Sequence, residues 1–162
     1  MIEVTLTVSK QRVYDEVAKT TSYTGAKMQG DDSAYDRIFT TDSDRSMLER
    51  FWTEACNAAT EQLKRFIVEV SDNSEGSTAD LSRDYVASLE LSSSYDENLT
   101  ESIQASLFSF FVSAIVSKWY KFTNKGEADG YAADAVGMMN DVMGKVFYRK
   151  KPRRVAPVAH GE

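Results

Sequence analysis

The hydrophobic positions between Ile103 and Phe122 cover nearly the whole circumference of an α-helix. A helix with so few polar positions is buried on most sides, within its own domain or against neighbouring subunits. Asn98 and Glu101 have the spacing of a capping box, in which side chains satisfy free backbone amides at the start of a helix. The pattern therefore predicts a central helix over residues 98–124.

The polar residues of this helix are mostly small and fall on one side. Serines recur at steps of three and four residues, at Ser102, Ser106, Ser109, Ser113 and Ser117. They either admit a closely packed backbone or face water, and the pattern leaves both interpretations open. The serines, with Gln104 and Lys118, also interrupt the long apolar run that a membrane span requires, so we expect no span.

The N-terminal part of the chain begins with an alternating segment. Alternation over Met1–Val8 predicts a half-buried strand, or an extended arm if the segment has no partner. Ser9 is placed to cap a short helix that ends near Thr20. No sustained period follows over residues 21–41, so we predict a connection there, with one helical turn at Tyr35–Phe39.

A second amphipathic helix is predicted after Thr41, because Thr41, Asp42 and Asp44 supply a cap and negative charge at its N-terminus. Its apolar positions recur at steps of three and four, and Glu49 is assigned to the solvent side. The β-prone residues 66–70 at its end are candidates for a strand.

Residues 85–95 alternate again and predict a strand with one covered face, paired with residues 66–70 or with the N-terminal strand. At an edge of the sheet, this strand would also suit pairing with the next copy of the protein. The segment around Gly126 predicts a turn between antiparallel helices. A last helix then runs to about Tyr148, and Pro152 prevents its continuation. Its predicted inner face comprises Tyr131, Ala132, Ala135, Val136, Met138, Met139, Val142, Met143, Val146 and Phe147.

These elements predict a mainly α fold: an antiparallel helical bundle of three to four helices, with a small β element at about 66–70 and 85–95 and with extended termini. We predict a single helical domain over residues 1–148, which includes the N-terminal strand or arm. A basic, extended C-terminal arm is predicted over residues 149–162.

Charge is unevenly distributed along the chain. Six basic residues and one acidic residue follow Gly144, a net charge of +5, and the total of -6 then leaves -11 on residues 1–144. Cations at a helix C-terminus complement the helix dipole, which accounts for Arg149, Lys150 and Lys151 but not for Arg153 and Arg154. Those two arginines indicate a negatively charged partner, either nucleic-acid phosphate or an acidic protein face.

The chain is poor in residues for catalysis. With one histidine, His160, near the end of the sequence, no base is available to activate the one cysteine, Cys56, which we interpret as a small buried thiol. The acidic pairs at 31–32 and 42–44 lack the glycine and the closing glutamate of a calcium loop. We therefore expect no catalytic residue, no metal, no cofactor and no enzymatic activity.

Two stretches of the chain resemble the head-to-tail connector (adaptor) proteins of tailed phages. The sequence TDSDRSMLERFWTEACNAATEQLKRFI, within residues 41–70, is similar to their early helix and its short acidic lead. Residues 98–154 look like the later part of those proteins, where a long apolar helix ends in an aromatic-rich segment, here WYKF at 119–122. A shorter antiparallel helix and a basic arm follow there as well. The N-terminal strand and residues 71–95 are additions to that pattern.

The resemblance implies a structural virion protein that forms a homo-oligomeric ring, commonly of about twelve copies, beneath the portal. Such a ring surrounds the channel for the genomic DNA in the neck of the virion and joins the head to a tail or stopper protein. It is assembled in the host cytoplasm. Subunit packing is expected at Ser106, Ser109, Ser113, Trp119 and Tyr120. Contacts with the portal, a neighbouring copy or DNA are expected at Arg149, Lys150, Lys151, Arg153 and Arg154.

The competing interpretation is a cytoplasmic helical module that binds one protein partner and has no enzymatic activity. It would use the same helical core, and the basic tail would serve docking or solubility. The oligomeric state separates the two interpretations, because a connector forms rings and a helical module with one protein partner does not.

Overall fold

The computed structural model describes residues 1–27, 34–71 and 84–157, in which five α-helices accompany one three-stranded antiparallel sheet. The predicted mainly α fold with a small β element is therefore confirmed. Short 3₁₀ turns precede two of the helices, at Asp42–Asp44 and at Glu97–Leu99. The elements follow in the order β1 (Ile2–Val8), α1 (Lys10–Lys27), α2 (Ala34–Ile38), α3 (Arg45–Leu63), β2 (Ile67–Ser71), β3 (Tyr85–Leu91), α4 (Thr100–Thr123) and α5 (Lys125–Phe147).

The sheet has the order β1-β3-β2, so β3 is the central strand and β1 and β2 are the edges. The alternation at the N-terminus correctly predicts β1, whose Val4, Leu6 and Val8 point into the core. β3 pairs with both of the strands that were predicted as alternative partners. It is therefore not at an edge of the sheet, and the suggestion that it could pair there with the next copy is wrong. β3 also ends at Leu91, four residues before the predicted end.

Helix α4 lies at the centre of the core. Leu107, Phe111 and Ile115 are fully buried, and the Phe111 ring packs 4.9 Å from the Trp52 ring of α3, centroid to centroid. By length and composition alone α4 passes as a membrane span, with a mean hydropathy of 1.4 over its most apolar part. Packing against α1, α3, α5 and β1 accounts for that apolar character, because α4 is the core helix of this domain.

Helices α4 and α5 form a long antiparallel hairpin with one residue between them. α4 ends at Thr123, α5 begins at Lys125, and the N–H of Asn124 donates to the carbonyl of Tyr120 at 2.8 Å. The predicted connection between antiparallel helices is confirmed, but it lies at Asn124, two residues before Gly126, which belongs to the first turn of α5. The buried face of α5 consists of Ala128, Ala135, Met139, Val142 and Val146.

Helix α1 is longer than predicted and continues beyond Thr20 to Lys27. The Thr21 hydroxyl donates to the carbonyl of Val17 and accepts the N–H of Thr40, so a buried polar contact supports the extra turns. The predicted connection over residues 21–41 therefore begins later, and its single helical turn is confirmed as α2.

The capping predictions have different outcomes at the two long helices. Before α3, Thr41 and Asp44 form the predicted capping arrangement, in which the Thr41 N–H donates to the Asp44 carboxylate at 2.9 Å. Before α4, the predicted cap at Asn98 is wrong. The carboxylate of Asp96 accepts the Asn98 N–H at 3.1 Å, and a 3₁₀ turn separates this cap from the helix.

Candidate assembly surfaces

One end of the serine row faces the chain's own α5. Lys145 donates to the hydroxyls of Ser102 at 2.6 Å and Ser106 at 3.3 Å, and it pairs with Asp141. Ser106 donates to the same Asp141 carboxylate. Hydrogen bonds from Lys145 and Ser106 lower the pKa of Asp141. Ser106, predicted to pack against another subunit, therefore contacts a helix of its own protomer, because α5 covers this side of α4.

The other serines differ in exposure. Ser117 is buried and donates to the carbonyl of Ala114, while Ser113 is half-buried. Ser109 lines an open groove of about 420 Å³ between the start of α1 and the first half of α4. Arg12 lies over the Phe108 ring in this groove, 5.3 Å from its centroid. Of the three serines predicted to pack against a neighbour, Ser109 is thus the one at an open groove.

The aromatic pair predicted for subunit packing lies inside the protomer. Trp119 and Tyr120 are both buried, and the Tyr120 ring packs edge-on against Tyr131 of α5 at 5.3 Å. Burial raises the pKa of the Tyr120 hydroxyl. Tyr120 thus joins α4 to α5, and neither residue belongs to an exposed contact surface. The next aromatic residue, Phe122, is exposed instead.

The outer side of α5 is an exposed, partly apolar face. The sequence assigned Val136, Met138 and Phe147 to the inner side, but each is exposed. The exposed fractions are 62% for Val136, 37% for Met138, 44% for Phe147 and 48% for Tyr148. Gly130, Gly137 and Gly144 recur at seven-residue spacing on the solvent side of the same helix, and an added Cβ at any of these meets nothing within 4 Å. We call these exposed residues and glycines the α5 face.

The basic arm follows the α5 face directly. Residues 149–157 have no regular secondary structure and are exposed. Arg149 donates to the carbonyls of Val146 and Tyr148, as expected for a cation at a helix C-terminus, and the N–H of Lys150 donates to the carbonyl of Ser94 at 2.8 Å. Within the described chain, the side chains of Lys150, Lys151, Arg153 and Arg154 make no ion pair.

A buried polar cluster, which the sequence did not predict, joins α1 to α3. Lys10 is 2% exposed and pairs with Glu49 at 2.5 Å, and the Tyr14 hydroxyl donates to the same carboxylate at 2.7 Å. Burial and the nearby Glu49 raise the pKa of Tyr14. Glu49 was assigned to the solvent side of α3, and this is wrong because α1 covers it. The aromatic rings of Tyr14 and Trp52 lie beside the Lys10 ammonium group.

This cluster holds the two helices together. A neighbouring cleft of about 340 Å³ opens between α1 and the start of α3, lined partly by Tyr14, Phe39 and Arg45. Cys56 is buried, and Asp42 and Asp44 belong to the turn before α3. Among residues 1–27, 34–71 and 84–157, no group of three or more His, Cys, Asp or Glu side chains is placed to hold a metal ion. The acidic pair at 31–32 and His160 lie outside the described residues.

No protein-family model, curated protein or solved structure matches the chain. The exposed surfaces of the protein are therefore the features that bear on its function. These are the α5 face, the basic arm beyond it and the open groove at Ser109.

Proposed function

We propose that this protein is a structural subunit of a tailed-phage virion, a head-to-tail connector that forms a ring beneath the portal. In this role it joins the head to a tail or stopper protein and surrounds the channel for the genomic DNA. It acts in the neck of the virion after assembly in the host cytoplasm. It acts by binding and not by catalysis.

The observation that carries this proposal is the α5 face together with the arm that follows it. Exposed apolar residues on the solvent side of a long helix and at its C-terminal end, with Val136 and Met138 on opposite flanks, favour a protein partner. Burying such residues against a partner is a main driving force of association. Glycines without neighbours on the same face allow another backbone to approach closely. A subunit that is covered by copies of itself in a ring needs surfaces of this kind.

The charge distribution supports the same proposal. The arm contains five cations in residues 149–154, whereas residues 1–144 carry a net charge of -11. A basic segment and an acidic body on one chain favour contact between unlike surfaces of neighbouring copies. Contacts of this head-to-tail type generate rings when the rotation between copies closes. The same cations also suit sequence-independent contacts with the phosphates of DNA in the channel.

The proposal is tested by mixing the purified protein with the portal protein encoded in the same genome and imaging the product by negative-stain electron microscopy. We expect rings attached to one side of the portal. Val136→Ser/Met138→Ser should abolish or strongly reduce these rings and leave the far-UV circular dichroism spectrum unchanged, because both side chains are exposed. Tyr23→Ser is the control, since Tyr23 lies on another helix and its side chain is about as exposed as that of Val136.

The proposal would be contradicted by a monomer that does not bind the portal protein and is not detected in purified virions by mass spectrometry. That result would support the alternative, a cytoplasmic helical module for one protein partner. Loss of portal binding by the Tyr23→Ser control would show that the α5 face has no special role.

A further inference from the structure

The outer face of the sheet is acidic and uncovered in the described chain. In β3, Ala87, Leu89 and Leu91 point into the core, so Ser88 and Glu90 point outward. Directly paired residues point to the same side of a sheet, which places Glu3 beside Glu90 and Glu69 beside Ser88 on the outer face. All three glutamates are exposed, and the three strands contain no Lys or Arg.

Two of these acids stand directly opposite each other. Glu3 of β1 pairs in register with Glu90 of β3, and like charges in such a position destabilise a sheet. Neither carboxylate has an ion-pair partner among the described residues. A cation brought by another molecule would remove this repulsion, so the sheet has an electrostatic reason to bind a basic segment.

The edge of β1 is bordered by α4 at Thr7, but next to these acids the outward backbone groups of Glu3 and Thr5 make no hydrogen bond to another described element. The N–H of Thr7 donates to the side chain of Gln104 on α4, so it points away from β3. Backbone groups alternate in direction along a strand, and those of Glu3 and Thr5 therefore point away from β3 as well. An extended chain can hydrogen-bond along such an edge.

The arm has the matching charge and the matching form. Its cations are exposed and without ion pairs within the described chain, and it has no regular secondary structure of its own. The N–H of Lys150 holds the base of the arm at Ser94, and the arm makes no ion pair with Glu3, Glu69 or Glu90 of its own protomer. The unpaired acids and the unpaired cations are therefore both available to a neighbouring copy.

We propose that the arm of one copy, residues 149–154, docks on the outer face of the sheet of the next copy, along the edge of β1 at Glu3 and Thr5. Arg153 and Arg154 neutralise Glu3 and Glu90 in this contact. Because the arm and the sheet are different surfaces, the contact is head-to-tail and propagates from copy to copy. The inference rests on the proposed ring and deepens it by naming the contact between neighbours.

A charge exchange tests this contact. The arm variant is Arg153→Glu/Arg154→Glu, and the sheet variant is Glu3→Lys/Glu90→Lys. Each variant alone places like charges on both surfaces, so we expect at least about 10-fold weaker self-association than in the wild type. An equimolar mixture restores assembly, because each reversed surface meets its opposite in an alternating arrangement. Native mass spectrometry and light scattering measure the masses.

Two controls separate this contact from other effects. Lys121→Glu/Lys125→Glu changes the net charge by the same amount as the arm variant but lies at the α4–α5 turn, and it should assemble normally. The arm contact should weaken when the salt concentration rises from about 0.1 M to about 1 M, because the Debye screening length falls from about 10 Å to about 3 Å. If circular dichroism shows that the sheet variant does not fold, Glu90→Gln replaces it. This change removes one charge without reversing it, so it should weaken association less than the arm variant does.

Rings that form normally in both reversal variants would overturn the inference and leave the connector proposal standing. Association that is lost in each variant and restored in the mixture, without any binding to portal, would support the arm contact and contradict the connector. A wild-type protein that stays monomeric at both salt concentrations would overturn the arm contact.

Discussion

The buried pair of Lys10 and Glu49 leads to a prediction about the stability of the protomer. Glu49→Gln keeps an acceptor for the Tyr14 hydroxyl but leaves the Lys10 ammonium group, which is 2% exposed, without a counter-charge. Breaking a buried ion pair on one side is strongly destabilising. Such a change typically costs about 3–5 kcal/mol. We expect the free energy of unfolding to fall by about 3 kcal/mol, the lower end of that range, because Glu49 retains some contact with solvent.

The reverse single change should cost less. Lys10→Met leaves Glu49 with the hydrogen bond from Tyr14, and the Arg45 guanidinium lies 5.5 Å from the Tyr14 ring centroid and supplies positive charge nearby. The expected loss is about 1–2 kcal/mol. The double variant Lys10→Met/Glu49→Gln removes both charges and should lie within about 1 kcal/mol of the wild type. The two changes are therefore coupled by at least about 3 kcal/mol.

Urea unfolding followed by tryptophan fluorescence measures all four proteins, since Trp52 lies beside Lys10. The protein concentration is held constant, because association shifts the apparent stability. Glu61→Gln is the matched control: its partner Lys64 is exposed, and the change should cost less than about 0.5 kcal/mol. A double variant that loses the sum of the two single losses would refute the idea that the pair acts as one buried unit.

Two further predictions concern glycines and pH. Gly137→Ala should raise the free energy of unfolding by about 0.5–1 kcal/mol, because it adds helix propensity where nothing lies within 4 Å. Gly25→Ala should lower the free energy of unfolding by more than about 1 kcal/mol, since its Cβ would lie 2.8 Å from the Tyr35 Cα. Urea unfolding measures both variants, and changes of the same sign would contradict these expectations. The pKa of Asp141 is lowered from the ordinary 3.8, so its contribution is present above pH 3.8 and is lost as the pH falls through the lowered pKa. Asp141→Asn should therefore cost no more than about 0.5 kcal/mol at pH 7, and this difference should disappear in acid; a difference that is independent of pH would point to packing instead.

The sequence predicts well the elements that are defined by their own periodicity. The alternation of β1 is enough to predict the strand, because one face of the strand meets the core and the other meets water. The segment at 66–70 was also correctly separated from α3 on β-propensity. Helix α4 was located from its apolar character, and its end at Thr123 lies one residue from the prediction.

The errors occur where a tertiary contact decides the outcome. Helix α1 continues past Thr20 because the Thr21 hydroxyl has partners on two segments and because Gly25 allows the backbone of Tyr35 to approach. No local pattern contains that information. In the same way, Asn124 alone turns the chain between two helices, so the glycine at 126 was misinterpreted as the turn.

The candidate surfaces were predicted only in part. The charge of the arm is visible in the sequence. The side of α4 that faces its own α5 is not visible, because a helix that is apolar nearly all round gives no preferred direction. Ser106, Trp119 and Tyr120 were therefore assigned to a neighbour although they contact the same chain. The acidic sheet face depends on strand register, which brings together Glu3 and Glu90 from distant parts of the chain.

The central claim is that copies of this protein form a ring in the neck of a tailed phage. Cryo-electron microscopy of the neck in purified virions that encode this chain tests it most directly. The account predicts a ring of density directly beneath the portal, into which the α4–α5 hairpin fits, with an extended segment from each copy lying on the sheet of the next. A neck without density for this fold would contradict it.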